Sequence, residues 1–185
     1  MCADDRDLLE RQVASETLYE GSSYRFTLDE VILPTGQSRR REHLHHPGGV
    51  AVLALDDQGR IAMVRQYRHP IAQVTMEIPA GKLDKIEGET PEHAALRELH
   101  EETGMIAGHI EPIGFIFPSP GVVDERLWLF FATQLTRAQQ ELDDDEFIHV
   151  QWLPVAELER QIAAGENNDS KAICALYRAR LLGKL

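Results

Sequence analysis

The sequence predicts a mixed α/β (α+β) fold, a β-sheet sandwiched between helices, with an antiparallel strand extension at the N-terminus. Three observations carry this expectation. Short apolar runs bounded by turn residues recur along the chain, as strands do. One well-capped helix interrupts them near the middle, and two amphipathic helices close the chain. The length of 185 residues, 43% hydrophobic and 27% charged, suits a globular domain that buries an ordinary core. Residues 1–45 are expected to form the extension and 46–185 the main domain.

The elements follow in order. In TLYEGSSYRFTLDEVIL, residues 17–33, Tyr24, Phe26 and Leu28 alternate with polar residues, as in a half-exposed strand of a hairpin or meander. PTGQSRRRE is a turn and a basic triplet. GGVAVLAL reads as a buried strand, DDQG as a turn and RIAMVRQY as a second strand, together a hairpin. TMEIPAG is a shorter extended run. From Thr90 the period changes. Thr90 suits a helix N-cap, Pro91 the first helical position, and Gly104 the left-handed residue past the end, so a helix spans about 90–103. HIEPIGFIF, ERLWLFFATQL and EFIHVQWL are three further strands, the middle one apolar on both faces and so central. VAELERQIAAG and DSKAICALYRARLLG are the closing helices.

A formal net charge of −12 leaves no basic stripe, which argues against nucleic acid as a partner. An anionic substrate would need local arginines or a bound metal. The N-terminus MCADDRDLLERQ lacks the basic-then-apolar order of a signal peptide, and no apolar run approaches the roughly 18 residues of a membrane helix. The two cysteines, Cys2 and Cys174, make no disulfide framework. A soluble, cytoplasmic protein without a membrane partner is expected. Of the eight histidines, His43, His45 and His46 crowd one stretch. Neighbouring His45 and His46 would point to opposite sides of a strand, so no metal site is read from them. Trp128 and Trp152 are read as core residues.

The chemistry lies in RELHEETG, residues 97–104. With about 100° per residue, Glu102 falls about 40° from Glu98 and Glu101 about 60° on its other side, so three carboxylates share one helix face. Leu96 and Leu99 point away, and Ala94 and Ala95 leave room for another backbone. Like charges at this spacing repel by a few tenths of a kcal/mol per pair. A solvated acidic face would tolerate that; a divalent ion between Glu98 and Glu102 would turn it into affinity, since clustered carboxylates suit Mg²⁺ or Mn²⁺.

The longer stretch GKLDKIEGETPEHAALRELHEETGM, residues 81–105, resembles the Nudix box, G-x5-E-x7-R-E-U-x-E-E-x-G-U with U apolar. Glu89, Arg97, Glu98, Leu99, Glu101, Glu102, Gly104 and Met105 match it. Gly81 departs, with seven residues rather than five before Glu89, and the extra length falls in the loop LDKIEG, where it is cheaply tolerated. The resemblance implies a Nudix-type sheet in 46–185 and hydrolysis of a diphosphate linked to another moiety. It implies Glu98 and Glu102 as metal ligands, Glu101 as a third ligand or water-mediated partner, the Ala80 carbonyl on the same ion, and Arg97–Glu89 as a structural ion pair. Mg²⁺ is the expected cofactor, with Mn²⁺ as the alternative.

Outside the box, RREHLHHPGGVAVLAL, VRQYRHP, MEIPAGKLD, SPGVVDE and DSKAICAL resemble the ADP-ribose pyrophosphatase branch, above all in SPG at 119–121. That branch implies substrate contacts from Arg68, Glu77 and Glu125, and from Arg40 or Arg41, whose guanidinium forks suit phosphate oxygens. It also implies carboxylates from ELDDDEFIHV: Glu146 as ligand or base, and Asp144 as the next candidate base, which with Glu101 and Glu102 complete the catalytic set. Tyr24 and Phe26 both remain candidates for adenine contact. The implied product pair is AMP and ribose 5-phosphate, and the implied state a homodimer built through the N-terminal strands. The alternatives are a hydrolase of GDP-mannose or a similar compound, and a non-catalytic nucleotide-binding module. Such modules usually lose box carboxylates, which are complete here.

Overall fold

A computed structural model describes residues 5–144 and 146–185. The chain divides into two compact units, residues 1–47 with 119–125, and residues 48–118 with 126–185. Cys2 lies outside the described residues; Cys174 is a free, half-buried thiol.

The smaller unit is an antiparallel meander of β1 (Arg11–Glu20), β2 (Arg25–Ile32) and β3 (Ser38–His45), in the order β1-β2-β3. Residues 119–125 join it, the Leu44 N–H donating to the Val122 carbonyl at 2.9 Å. The alternation of β2 is inverted from the simplest reading of its pattern. Thr27, Asp29 and Val31 are buried, while Phe26 and Leu28 are only half-buried. The polar side chains face inward because they have partners there: Asp29 accepts from the Ser15 hydroxyl at 2.6 Å and meets His43, and Thr27 meets His45.

The larger unit holds two sheets. One has the order β10-β5-β6, with β5 at Arg60–Arg68, β6 at Gln73–Glu77 and β10 at His149–Pro154. The other has the order β7-β4-β9-β8, with β4 at Gly49–Ala54, β7 at Ala80–Lys82, β8 at Met105–Ile116 and β9 at Leu127–Arg137. The expected β4–β5 hairpin is therefore corrected. The turn exists, with Asp56 accepting the N–H groups of Gln58 and Arg60. Beyond the single bridge Leu55–Ile61, however, the strands enter different sheets. Both edges of β4 are taken, by β7 and by a parallel pairing with β9, so none is left for β5.

β4 has all its residues buried and feeds two cores by the two-residue period of a strand. Ala51 and Leu53 pack with Leu129, Phe131 and Leu176 on one side. Val50, Val52 and Ala54 pack with Phe130, Ala94 and Leu99 on the other. The second side is covered by α1 (Pro91–Thr103), the first by α3 (Ser170–Leu181) with Leu158 of α2 (Val155–Ala163). This is the expected sandwich, with β9 central. Trp128 and Trp152 pack against the α1-side core. Among the described residues no helix is long and apolar enough to cross a membrane.

Candidate active site

Helix α1 starts and stops where its sequence dictates. The Thr90 hydroxyl accepts the His93 N–H at 3.2 Å, and Gly104, at φ 66°, closes the helix by donating to the His100 carbonyl. The carbonyls that a helix end leaves open are met by the following acidic segment: the Ala138 N–H donates to the Gly104 carbonyl, and the Glu141 N–H to that of Glu101. The register of α1 thereby fixes the path of residues 138–141.

The acids of α1 do not form a solvated face. Glu98 is 7% exposed and Glu102 2% exposed. The Ala80 N–H donates to Glu102 Oε2 at 3.0 Å. Gly81 lies so close to Glu98 that a Cβ there would overlap its carboxyl group. Burial pushes the Glu98 carboxyl up, with Glu101 adding repulsion and Arg97 opposing. Burial pushes Glu102 well up as well, and the charges of Glu98 and Glu146 add to it.

Cations in reach offset only part of this charge. Arg97 grips Glu89 through two bonds, 3.1 and 2.9 Å, and also donates to Glu98 at 2.7 Å and Glu101 at 2.8 Å. Lys85, in the lengthened loop, bonds Glu101 at 3.0 Å and both Asp143 oxygens at 2.9 Å. Burial alone would lower the Lys85 pKa, yet Asp143 and Glu101 hold it above the ordinary value. The donor set of buried, mutually repelling hard oxygens fits a divalent cation of the Mg²⁺ class.

Beside this helix, Arg68 and Glu77 form a two-bond pair at 2.9 Å, and Lys171 bonds Glu77 at 2.6 Å and Asp169 at 2.8 Å. Burial would raise the Glu77 pKa; Arg68, Lys171 and Thr75 together bring it far below the usual carboxylate range. Arg68 also feels the charge of Glu102. Arg68, Glu77, Asp169 and Lys171 line a cleft of about 620 Å³.

The NUDIX domain model matches residues 45–176. The chain belongs to the Nudix family. Over 178 residues, 95% of each chain, it is 39% identical to the "ADP-ribose pyrophosphatase" of Bacillus subtilis (strain 168). It is 38% identical to the "Methanol dehydrogenase activator" of Bacillus methanolicus over 93% of each chain. It is 37% identical to the "ADP-ribose pyrophosphatase" of Mycobacterium tuberculosis over 89% of this chain and 80% of that one. A crystal structure of "ADP compounds hydrolase" superposes with a TM-score of 0.82 over 97% of this chain and all of that one, at 19% identity, a likeness of fold. The chain is a Nudix hydrolase.

Of the residues singled out in the sequence, Ala80, Glu98, Glu101 and Glu102 meet in this Nudix site, and Arg68 and Glu77 pair beside it. Glu146 is close enough to raise the Glu102 pKa; Asp144 is exposed. Arg40, Arg41 and Glu125 belong to the smaller unit. There Arg41 pairs with Glu10 at 2.6 Å, and Glu125 lies 3.8 Å from His46. Sequence reasoning missed Lys85, Asp143, Asp169 and Lys171. Asp143 lies within ELDDDEFIHV, and Asp169 and Lys171 within DSKAICAL, stretches already singled out, whereas Lys85 lies in the loop LDKIEG, where only the extra length was noted.

Proposed function

We propose that this Nudix hydrolase cleaves the diphosphate of ADP-ribose to AMP and ribose 5-phosphate. The observation that carries the reading is the buried Glu98–Glu102 pair, backed by Ala80 and Gly81, in a chain so similar to two ADP-ribose pyrophosphatases. Glu98, Glu101, Glu102, Glu146 and the Ala80 carbonyl are the proposed holders of Mg²⁺, with Mn²⁺ able to serve. The ion supplies charge neutralisation at the diphosphate and a more acidic water.

The protein's own part is positional. Arg97 and Glu89 hold the loop against α1 and keep the Glu98 and Glu101 carboxylates oriented. Arg68 presents a guanidinium suited to phosphate oxygens while Glu77 and Lys171 fix it in place. Glu77, Glu125, Arg40 and Arg41 are further proposed substrate contacts. Glu146 and Asp144 are the candidates for the base that takes the proton from water. The same proposal makes the enzyme a cytoplasmic homodimer.

The test is a panel of ADP-ribose, GDP-mannose, NADH and a nucleoside triphosphate, each assayed with Mg²⁺. ADP-ribose should give the highest kcat/KM. A rival turned over about tenfold faster, a difference of about 1.4 kcal/mol in barrier, would overturn the substrate while leaving the diphosphate chemistry standing.

A further inference from the structure

The smaller unit holds a second cluster of ligand-type side chains. His43 and His45 sit two residues apart on β3 and so share a face, unlike the adjacent pair His45–His46. Both aim a ring nitrogen at one oxygen of Asp124. His43 Nε2 lies 3.2 Å from Asp124 Oδ2, and His45 Nδ1 lies 3.3 Å from it. The three ligand atoms all fall within 4.8 Å of one another. The backbone N–H of His46 holds the other carboxylate oxygen at 2.8 Å, leaving Oδ2 for the histidines.

We propose that His43 Nε2, His45 Nδ1 and Asp124 form a binding site for a transition-metal ion of the zinc class, separate from the carboxylate set on α1. Ligand atoms about 2.0–2.1 Å from a tetrahedral zinc ion stand about 3.3 Å from each other. That is the spacing found here between each nitrogen and the carboxylate oxygen.

The outward-facing nitrogens are also provided for. His43 Nδ1 lies 3.3 Å from Asp29 Oδ2, itself steadied by Ser15, and His45 Nε2 lies 3.1 Å from the Thr27 hydroxyl. Carboxylate and hydroxyl partners of this kind fix the tautomer of a metal-binding imidazole. They also account for the polar inward face of β2. A neutral His43 has one N–H for two carboxylate neighbours, so a bound cation, as a second ring proton also would, relieves a lone pair that otherwise confronts an oxygen. Imidazole nitrogens favour zinc-class ions over Mg²⁺. Asp124 is 44% exposed, which leaves a position for water. The ion would fasten residues 119–125 to β3.

The experiment titrates ZnCl₂ into chelator-treated, full-length protein with excess Mg²⁺ present to occupy the α1 carboxylates. Calorimetry should show one zinc equivalent, and the melting temperature should rise with it. H43Q/H45Q should lose at least about a hundredfold in zinc affinity, and Asp29→Asn about 10–100-fold. Unchanged zinc binding in H43Q/H45Q would overturn the site, as would no zinc uptake by the unaltered protein under Mg²⁺. Should the double variant fail to fold, anomalous scattering at the zinc edge from crystals of the unaltered protein decides. A peak bounded by His43, His45 and Asp124 supports the site; a peak elsewhere or none overturns it.

Discussion

At the scale of residues, the buried carboxylates make the sharpest prediction. Glu102→Gln keeps shape and helix propensity but removes a negative charge from a place where burial and two neighbouring acids already oppose it. Hydrolysis of ADP-ribose with Mg²⁺ should fall at least ~100-fold, roughly 3 kcal/mol of barrier. Melting of the chelator-treated variant should show equal or greater stability than the unaltered protein. Near-normal activity would remove this helix from the metal site. Glu77 is the opposite case, since Arg68 and Lys171 overcome its burial and lower its pKa below 4.5. A depressed carboxylate contributes stability that is present above its unfolded value and lost as pH falls through the folded one. Glu77→Gln should therefore cost about 2–3 kcal/mol at neutral pH, toward the lower end because Arg68 is 40% exposed. The gap between variant and unaltered protein in thermal melts should narrow as pH drops below about 4.5 and through the acid range. A gap that is constant with pH would contradict the assignment. The acids of α1 were legible in the sequence because helical spacing alone gathers them. Lys85 and Asp143 were not, because they stand 58 residues apart and meet only through the fold.

At the scale of elements, local signals served well wherever they were sufficient. The cap at Thr90, the left-handed Gly104 and the doubly apolar β9 were all readable, since each depends on a few adjacent residues. The β4–β5 hairpin was misread because pairing is decided by which strand edges remain open, and β7 and β9 claim those of β4 from far along the chain. The inward face of β2 was missed for a similar reason, its polar residues being matched by histidines of β3. The contact of β7 with α1 yields a prediction of its own. Gly81→Ala would drive a methyl group into the Glu98 carboxyl, so that strand or ligand must shift. The Mg²⁺ concentration for half-maximal rate should rise and the rate fall by at least about tenfold, near 1.4 kcal/mol, with circular dichroism unchanged. An unaltered Mg²⁺ response would show that Glu98 has slack the geometry denies.

At the scale of the whole molecule, β1 is an edge strand with every residue exposed, Val13 at 43%, Leu18 at 50% and Tyr19 at 65% among them. Such edges invite pairing with another chain unless covered. Sedimentation should report twice the 20.9 kDa chain mass, and Leu18→Lys should shift the protein toward monomer. A monomer at micromolar concentration in the unaltered protein would count against the dimer. The smaller unit is also discontinuous, for residues 119–125 complete it only after the 71 residues from 48 to 118. During synthesis the N-terminal strands leave the ribosome well before the segment that meets Leu44. At about 5–20 residues per second the wait is roughly 4–14 s, long compared with the microseconds in which a hairpin forms. The β3 edge that meets residues 119–125 thus waits for that segment far longer than strand pairing itself takes.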